Sequence, residues 1–314
     1  MNDSRLWAIT SYFNPAGYAR RLQNYRLFRE HLAIPLVTVE LSFNGSFELA
    51  KDDAEVLVQI QGADVMWQKE RLLNLAVARV PRSCDRVAWL DCDIVYGSDD
   101  WVDQTIQALD KFSLVHLFQE RHDLRIKFDA NLLTTWDAPP TSESIIYKHT
   151  KNETAPEDFF LANAPLARGT TAGLAWASRR TLLEKHGLYD AAILGSGDRA
   201  IICAALGEFE YGARALTMNP KRVEHYQSWA KPYFADVRGQ VGNISARVFH
   251  LWHGEIADRQ YEARHRQFER FDFNPCDDIV IAPSGAWRWR SNKPAMHSFI
   301  KTYFESRRED AGRF

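Results

Sequence analysis

The chain has 314 residues, 39 Lys and Arg against 41 Asp and Glu, a formal net charge of −2 and a pI near 6.6. That length allows roughly two domains or one elaborated α/β unit, and the balanced charge lacks the basic field of a nucleic-acid binder. MNDSRLWAITSYF shows no signal peptide, no apolar run reaches the ~18 residues of a membrane span, and Cys84, Cys92, Cys203 and Cys276 lack C-x-x-C spacing, so a reduced, cytoplasmic setting is expected.

The first third alternates strand and helix signals. RLWAITSYF reads as a short buried strand ending at the loop signal Asn14-Pro15. GYARRLQNYRLFREHL sets Tyr18, Leu22, Tyr25, Phe28 and Leu32 near helical spacing, with arginines opposite. IPLVTVELSF and AEVLVQIQG are β-rich. WQKERLLNLAVARV has a helical apolar face of Leu72, Leu73, Leu75, Ala76 and Val80, and VAWLDCDIVY is the next strand. Ser98 is placed to cap the following helix, with Asp99 and Asp100 at its positive end, and FSLVHLF is a further strand. This alternation predicts an α/β fold: an open, mainly parallel sheet with helices on both faces. Ligands of such sheets bind beyond the carboxyl ends of the strands, where Asn14 and the pair Asp91/Asp93 both fall.

From Gln119 to about Arg168 the pattern breaks into polar, proline-containing WDAPPTSES and KHTKNETAPEDFF, which reads as an insertion or lid. TTAGLAWASRRTLLEKHGLYD then gives a strand and a helix stopped by Gly187. After it come the turn GSGD, a helix near Arg199–Leu206, an aromatic-rich helix near His225–Val237, the strand RVFHLWHG, the helix RQYEARHRQFERF and a strand pair in NPCDDIVIAPSGAWRW. The expected division is 1–118 as a first α/β half, 119–168 as the insertion, 169–271 as a second half, and 272–314 as a C-terminal strand pair and helix. That last helix, Lys293 to Asp310, gathers Met296, Phe299, Ile300 and Phe304 on one side and docks on the core by default, or on a partner or the inner face of a membrane. Most of the ten tryptophans are expected in the core, and an exposed remainder suits sugar faces.

Three separated features carry chemistry. In an unbroken strand Asp91 and Asp93 point the same way while Cys92 points opposite, and two adjacent anions call for a metal, a basic partner or open water. The bland alternative is that they cap a turn. His250-Leu-Trp-His253-Gly sets two imidazoles three apart, on opposite faces of a strand unless the chain turns at Trp252 or Gly254. Gly195-Ser-Gly197-Asp198 permits close backbone approach with an acid at a helix N-terminus, where Asp198 is otherwise a simple cap. Together they suit one reaction class. A divalent ion on Asp93 and imidazole stabilises a diphosphate leaving group, and Asp198 accepts the proton of an attacking hydroxyl. Mixed carboxylate and imidazole donors favour Mn²⁺ over Mg²⁺. The histidines equally suit phosphate directly.

The order of these motifs resembles the GT-A glycosyltransferases, closest to the β-1,4-galactosyltransferase type and its bacterial relatives. Gln68-Lys-Glu-Arg-Leu-Leu-Asn74 stands where that type has a basic helix ending L-L-N before its D-V-D strand, here Asp91-Cys92-Asp93. Ala172-Gly-Leu-Ala-Trp-Ala177, Gly187-Leu-Tyr-Asp190 and Gly195-Ser-Gly-Asp198 resemble its G-G-x-x-A strand, G-[FY]-[PD] turn and acid-ended Gly-rich segment, and His250-Leu-Trp-His253 its metal-binding M-x-x-H. The resemblance spans about Leu6 to Phe271 and implies a GT-A-like fold with donor binding in the first half and catalysis in the second. It implies a nucleotide-sugar donor, uridine-based, with Asp91 near ribose and metal and Asp93, His253 and His250 as metal ligands. Asp198 is the implied base of an inverting transfer. Nucleotide contacts are implied for Phe13, Asn14, Pro15, Arg20 (or Arg21), Lys69, Arg71, Asn74 and Cys92, and sugar or acceptor contacts for Ala172, Gly173, Trp176 and Gly197.

The chain departs from that pattern where Gly197 and Arg199 flank Asp198 in place of acids, and where His250 replaces Met. The expected acceptor is a saccharide or lipid-linked saccharide. A nucleic-acid acceptor would need a local patch such as Arg121, Arg125 and Lys127, which reads better as a solvated face. The competing readings are a retaining transferase with Asp198 orienting the sugar, a nucleotidyltransferase, and a binding protein without turnover.

Overall fold

Every position of β1 (Trp7–Phe13) and β2 (Leu36–Ser42) is buried, as strands covered on both faces require. A computed structural model describes residues 5–128, 130–151, 169–261 and 263–310 of the chain. The other strands are β3 (Val56–Gln61), β4 (Arg86–Leu90), β5 (Ile94–Tyr96), β6 (Leu114–His116), β7 (Glu120–Asp123), β8 (Ser142–Ser144), β9 (Thr170–Thr171), β10 (Ala175–Arg179), β11 (Val241–Asn243), β12 (Arg247–His250), β13 (Ile279–Ile281) and β14 (Trp287–Trp289). They form a seven-stranded sheet in the order β11-β6-β10-β4-β1-β2-β3, a five-stranded sheet β5-β12-β7-β8-β9, and the hairpin β13-β14. In the large sheet β10 alone runs against its neighbours; β4, β1, β2 and β3 are mutually parallel. The fold is a mixed α/β fold with a central, mostly parallel sheet, as the alternation predicts.

Helix Lys69–Val77 crosses β1 and β2 and buries Leu72, Leu73, Ala76 and Val77. Each of its leucines contributes ~1.5–3 kcal/mol by leaving water. Helix Pro220–Val237 supplies the stack of Tyr226, Trp229 and Tyr233. Trp89, Trp101 and Trp176 are fully buried, which agrees with the core reading of most tryptophans. The C-terminal helix Pro294–Ser306 docks on the core through Met296, Ile300 and Phe304.

The structure corrects two local expectations and places a third. VAWLDCDIVY is not one strand: the chain leaves the large sheet after Leu90, turns through Asp91–Asp93, and joins the second sheet as β5. Ser98 does not cap the next helix; Trp101–Ala108 starts at Asp100, whose carboxylate takes the Ser98 hydroxyl. Within 119–168, β7, β8 and helix Ile145–Lys151 build the second sheet and its edge, while 152–168 lie outside the described residues.

Behind the turn that follows β12, Gly254 has φ +89°, and a Cβ there would lie 2.7 Å from the Arg307 carbonyl oxygen. The clash is backbone on backbone, so no side chain can yield. Gly254→Ala should cost more than about 1 kcal/mol and lower the melting temperature by a few degrees. An unchanged melting curve would mean that the C-terminal segment does not seat against this turn.

Candidate metal and nucleotide-sugar site

The break between β4 and β5 decides where the paired acids go. Asp91 stays at the end of the large sheet, its N–H donating to Leu174 O at 2.7 Å. Asp93 enters the second sheet, its carbonyl accepting from Leu251 N–H at 2.8 Å. The two carboxylates thus serve different clusters.

Asp93 meets the histidines. β12 ends at His250, and the chain turns before His253, so one carboxylate oxygen and one nitrogen of each ring lie within 4.8 Å of one another. The turn resolves the opposite-face problem of a straight strand. His253 Nδ1–H donates to Leu251 O at 2.9 Å, which leaves Nε2 as the free lone pair, 3.4 Å from Asp93 Oδ2. His250 lies opposite Asp123 in the parallel β12–β7 register, and its Nδ1 is 2.9 Å from Asp123 Oδ1. Arg121 Nη2 lies 2.6 Å from Asp123, holding that acid ionised, and 3.3 Å from His250 Nδ1; the shorter contact of Nδ1, to the Asp123 carboxylate, assigns it the proton. Asp123 is held down at about 2: burial opposes ionisation, and the bonds from His250 and Arg121 overcome it. Burial holds His250 below its usual range and His253 well below, so both rings are neutral. Burial raises Asp93, with His250 opposing, and its Oδ1 has no hydrogen-bond partner among the described residues. Two neutral imidazoles fixed by their far nitrogens, and a carboxylate oxygen without a partner, fit a divalent ion.

The second cluster is built around Lys69. Its buried ammonium lies 2.6 Å from Asp91 Oδ1 and 2.8 Å from Asp198 Oδ2. Burial alone would lower its pKa, but Asp198 and then Asp91 reverse this and hold it well above its ordinary value. Burial raises Asp198, against Lys69. Asp198 sits on the first turn of helix Gly197–Ala205. Gly173 makes room for it, since a Cβ there would be 2.9 Å from Asp198 Oδ2. Leu174 at φ 80° and Ser196 at φ 70° are left-handed, a strained state for residues with side chains that is often kept at functional sites.

Beside Lys69, Glu70 is missed by sequence reasoning. It is 2% exposed, and a Cβ on Gly197 would lie 2.3 Å from its Oε1. Burial pushes its carboxyl up to about 8, against Lys69 and with Asp198, so it is an un-ionised acid packed under the candidate base.

The remaining predicted residues are scattered around this centre. Phe13 is buried edge-on to Trp67 and Phe304, and its carbonyl accepts from Arg21. Asn14 braces the loop through Tyr18 N–H and O, both at 2.9 Å, and Pro15 forms the turn beside it. The Arg20 guanidinium lies 5.6 Å over the Trp252 ring, whereas Arg21 pairs with Glu309. Arg71 and Asn74 reach Asp190, each at 3.1 Å, on the far side of their helix. The Cys92 thiol is raised by burial, with Asp93 and Asp91. Trp176 stacks on His116 and donates to Ala172 O, and His116 reaches Gly173 O. Arg121 faces inward to Asp123 and Thr171, so it is not part of a basic surface patch with the exposed Arg125 and Lys127.

No protein-family model matches the sequence, and no curated protein matches it. Among solved structures, S. aureus TarS 1-349 is 9% identical with a TM-score of 0.39, over 97% of this chain and 71% of that one. The same TarS fragment in complex with UDP-GlcNAc is 12% identical at 0.43, over 84% and 64%. The mannosyltransferase PcManGT from Pyrobaculum calidifontis, in complex with GDP-Man and Mn²⁺, is 13% identical at 0.32, over 74% and 73%. At such identities and TM-scores these likenesses assign this chain to no family, the β-1,4-galactosyltransferase type included. No helix among the described residues is long and apolar enough to cross a membrane.

Two outcomes follow from this geometry. Asp93→Asn and His253→Gln should abolish Mn²⁺ binding by calorimetry, and Asp123→Asn should weaken it by about 10- to 100-fold through the freed His250 ring. Wild-type affinity in Asp123→Asn would remove Asp123 from the supporting shell. For Glu70, the folded state keeps its proton to about 8 while an unfolded carboxyl loses it near 4.5, so between these values the folded chain binds more protons and stability falls as pH rises. Glu70→Gln should melt close to wild type at pH 5 and above it at pH 8.5. A constant difference across that range would mean that Glu70 is ionised throughout.

Proposed function

We propose that the chain is a metal-dependent glycosyltransferase that moves a sugar from a nucleotide sugar, a UDP-sugar, to a hydroxyl of a saccharide acceptor. The observation that carries this reading is the Asp93/His250/His253 donor set, next to the Lys69 ammonium that joins Asp91 to Asp198. Asp93 Oδ1 and the two Nε2 atoms would hold Mn²⁺, which when bound supplies Lewis-acid stabilisation to a departing diphosphate. Asp91 is suited to ribose hydroxyls at the end of the large sheet, and Phe13, Asn14 and Pro15 flank the same end.

Asp198 takes the proton of the attacking hydroxyl. Burial raises its pKa, which makes it a better base than a solvated aspartate, and the adjacent Lys69 opposes that rise. An attack opposite the leaving group inverts the anomeric centre. Gly173 and Gly197 adjoin this carboxylate and, with Ala172 beside them, are assigned to the sugar or acceptor, whereas Trp176 is fully buried against His116 and supports that segment from behind.

The test measures binding and turnover separately. In Mn²⁺, UDP should bind, and EDTA or Asp93→Ala should remove most of that affinity. Asp198→Asn should leave UDP affinity within about threefold and lower transfer from a UDP-sugar by roughly 10²- to 10⁴-fold. Wild-type turnover in Asp198→Asn would end its role as base, and a retained anomer would recast it as an orienting group. Absence of binding by UDP and by GDP in Mn²⁺ would end the nucleotide-sugar reading.

A further inference from the structure

Beside the metal donors lies a group of arginines that the proposed reaction has not used. Arg259, Arg264 and Arg307 are 8%, 3% and 5% exposed. They come from the short helix Ile256–Arg259, the helix Ala263–Phe268 and the residue after the C-terminal helix. They converge on shared aromatic rings: Arg264 lies 5.1 Å over Tyr303 and 5.0 Å over Tyr261, and Arg307 5.9 Å over Tyr303 and 5.4 Å over Trp67.

Their bonds are mostly to neutral groups. Arg259 donates to the Tyr261 hydroxyl at 3.0 Å, and Arg264 donates to the Tyr303 hydroxyl, to Ser196 Oγ at 2.9 Å and to Arg259 O at 3.3 Å. The Nε atoms of Arg259 and Arg264 are buried without a partner among the described residues. Glu309 is 2.6 Å from Arg307, but its other oxygen already serves Arg21 at 2.5 Å. Arg21, Arg259 and Arg307 therefore share Glu309, with Asp93 also acting on Arg259, while the bonds of Arg264 include no carboxylate, which leaves positive charge in excess around Arg264 where burial makes it costly. Burial, with Arg307 nearby, holds Arg264 below its ordinary pKa, as an under-compensated cation should be.

The group also bridges the two clusters of the site. The Arg307 carbonyl abuts Gly254, next to His253, and Arg264 grips Ser196, two residues before Asp198. We propose that Arg259, Arg264 and Arg307 form the diphosphate-binding wall of the site, and that the occupant is a nucleoside diphosphate, free or as its sugar ester. Planar guanidiniums with unpartnered N–H groups match phosphate oxygens, and the bound anion supplies the missing negative charge. This assignment deepens the nucleotide-sugar reading and rests on it for the nucleoside.

The test titrates the full chain with UDP, UMP, inorganic pyrophosphate and farnesyl diphosphate, in Mn²⁺ and in EDTA, following melting temperature and calorimetric affinity. Wild type should bind pyrophosphate measurably even in EDTA and prefer UDP to UMP. Arg259→Met and Arg264→Gln should each weaken UDP and pyrophosphate by about tenfold or more and erase the preference over UMP. Arg259→Met keeps an unbranched side chain in the buried slot, its melting curve without ligand shows whether it folds, and it decides the matter should Arg264→Gln fold poorly. UDP and pyrophosphate affinities within twofold of wild type in Arg259→Met would overturn the proposal while leaving the nucleotide-sugar reading intact. Arginine-dependent pyrophosphate binding with no gain from a nucleoside would keep the anion wall and remove that reading. A preference for farnesyl diphosphate over UDP would overturn the nucleoside occupant.

Discussion

The site depends on one buried ammonium. Lys69 starts a helix that packs across β1 and β2, and its amine reaches an acid after β4 and another on helix Gly197–Ala205. Without that cation, the half-buried Asp91 and Asp198 carboxylates would repel each other with no positive charge between them. With it, the two acids are held on either side of one ammonium. Glu70 is left un-ionised by its burial: Lys69 opposes that rise without overcoming it, because the same positive charge is already shared by two other acids.

The candidate metal donors Asp93, His250 and His253 are ordered by a different device, the second sheet. Parallel pairing of β12 with β7 puts Asp123 opposite His250, and antiparallel pairing with β5 brings the start of that strand, next to Asp93, to the same level. Register therefore sets ligand and supporting acid together, and a slip of one residue would send His250 to the other face. The segment 119–151 contributes β7 and β8 to this sheet, so part of the irregular-looking insertion is scaffold for the donor set.

Much of this was legible in the sequence. Apolar runs alternating with helical spacing disclosed the large sheet, and Asp93, His250, His253 and Asp198 stood out by spacing: two acids two apart, two histidines three apart, and an acid after a glycine at a helix start. What failed was the extrapolation of strand periodicity through Asp91–Asp93. An extended chain and a turn that changes sheet have the same local composition, and only the pairing of β5 with β12 tells them apart. Arg121 and Asp123 were hidden for a related reason: ERHD has no apolar alternation, because that strand buries charge against charge. Arg71 and Asn74 carry the motif that marks the helix, yet their side chains secure the Gly187–Asp190 turn, since a nine-residue helix presents several faces and spacing does not say which one meets the crevice.

The C-terminal residues show how far such a site is from a local motif. Asp310 accepts the first free N–H groups of helix Ala19–Glu30, from Ala19 and Arg20, while Tyr18 donates to carbonyls of Phe304 and Glu305. Glu309, fully buried and held ionised at about 2 by Arg21 and Arg307 against its burial, joins the same two ends of the chain. The loop after β1 and the wall behind His253 are thereby fastened to each other, and neither can shift without exposing a paired, desolvated carboxylate. Breaking one partner of such a pair costs far more than the pair contributes as a whole. The positions of the loop after β1 and of the buried arginines beside His253 are therefore coupled through charge rather than through apolar packing alone.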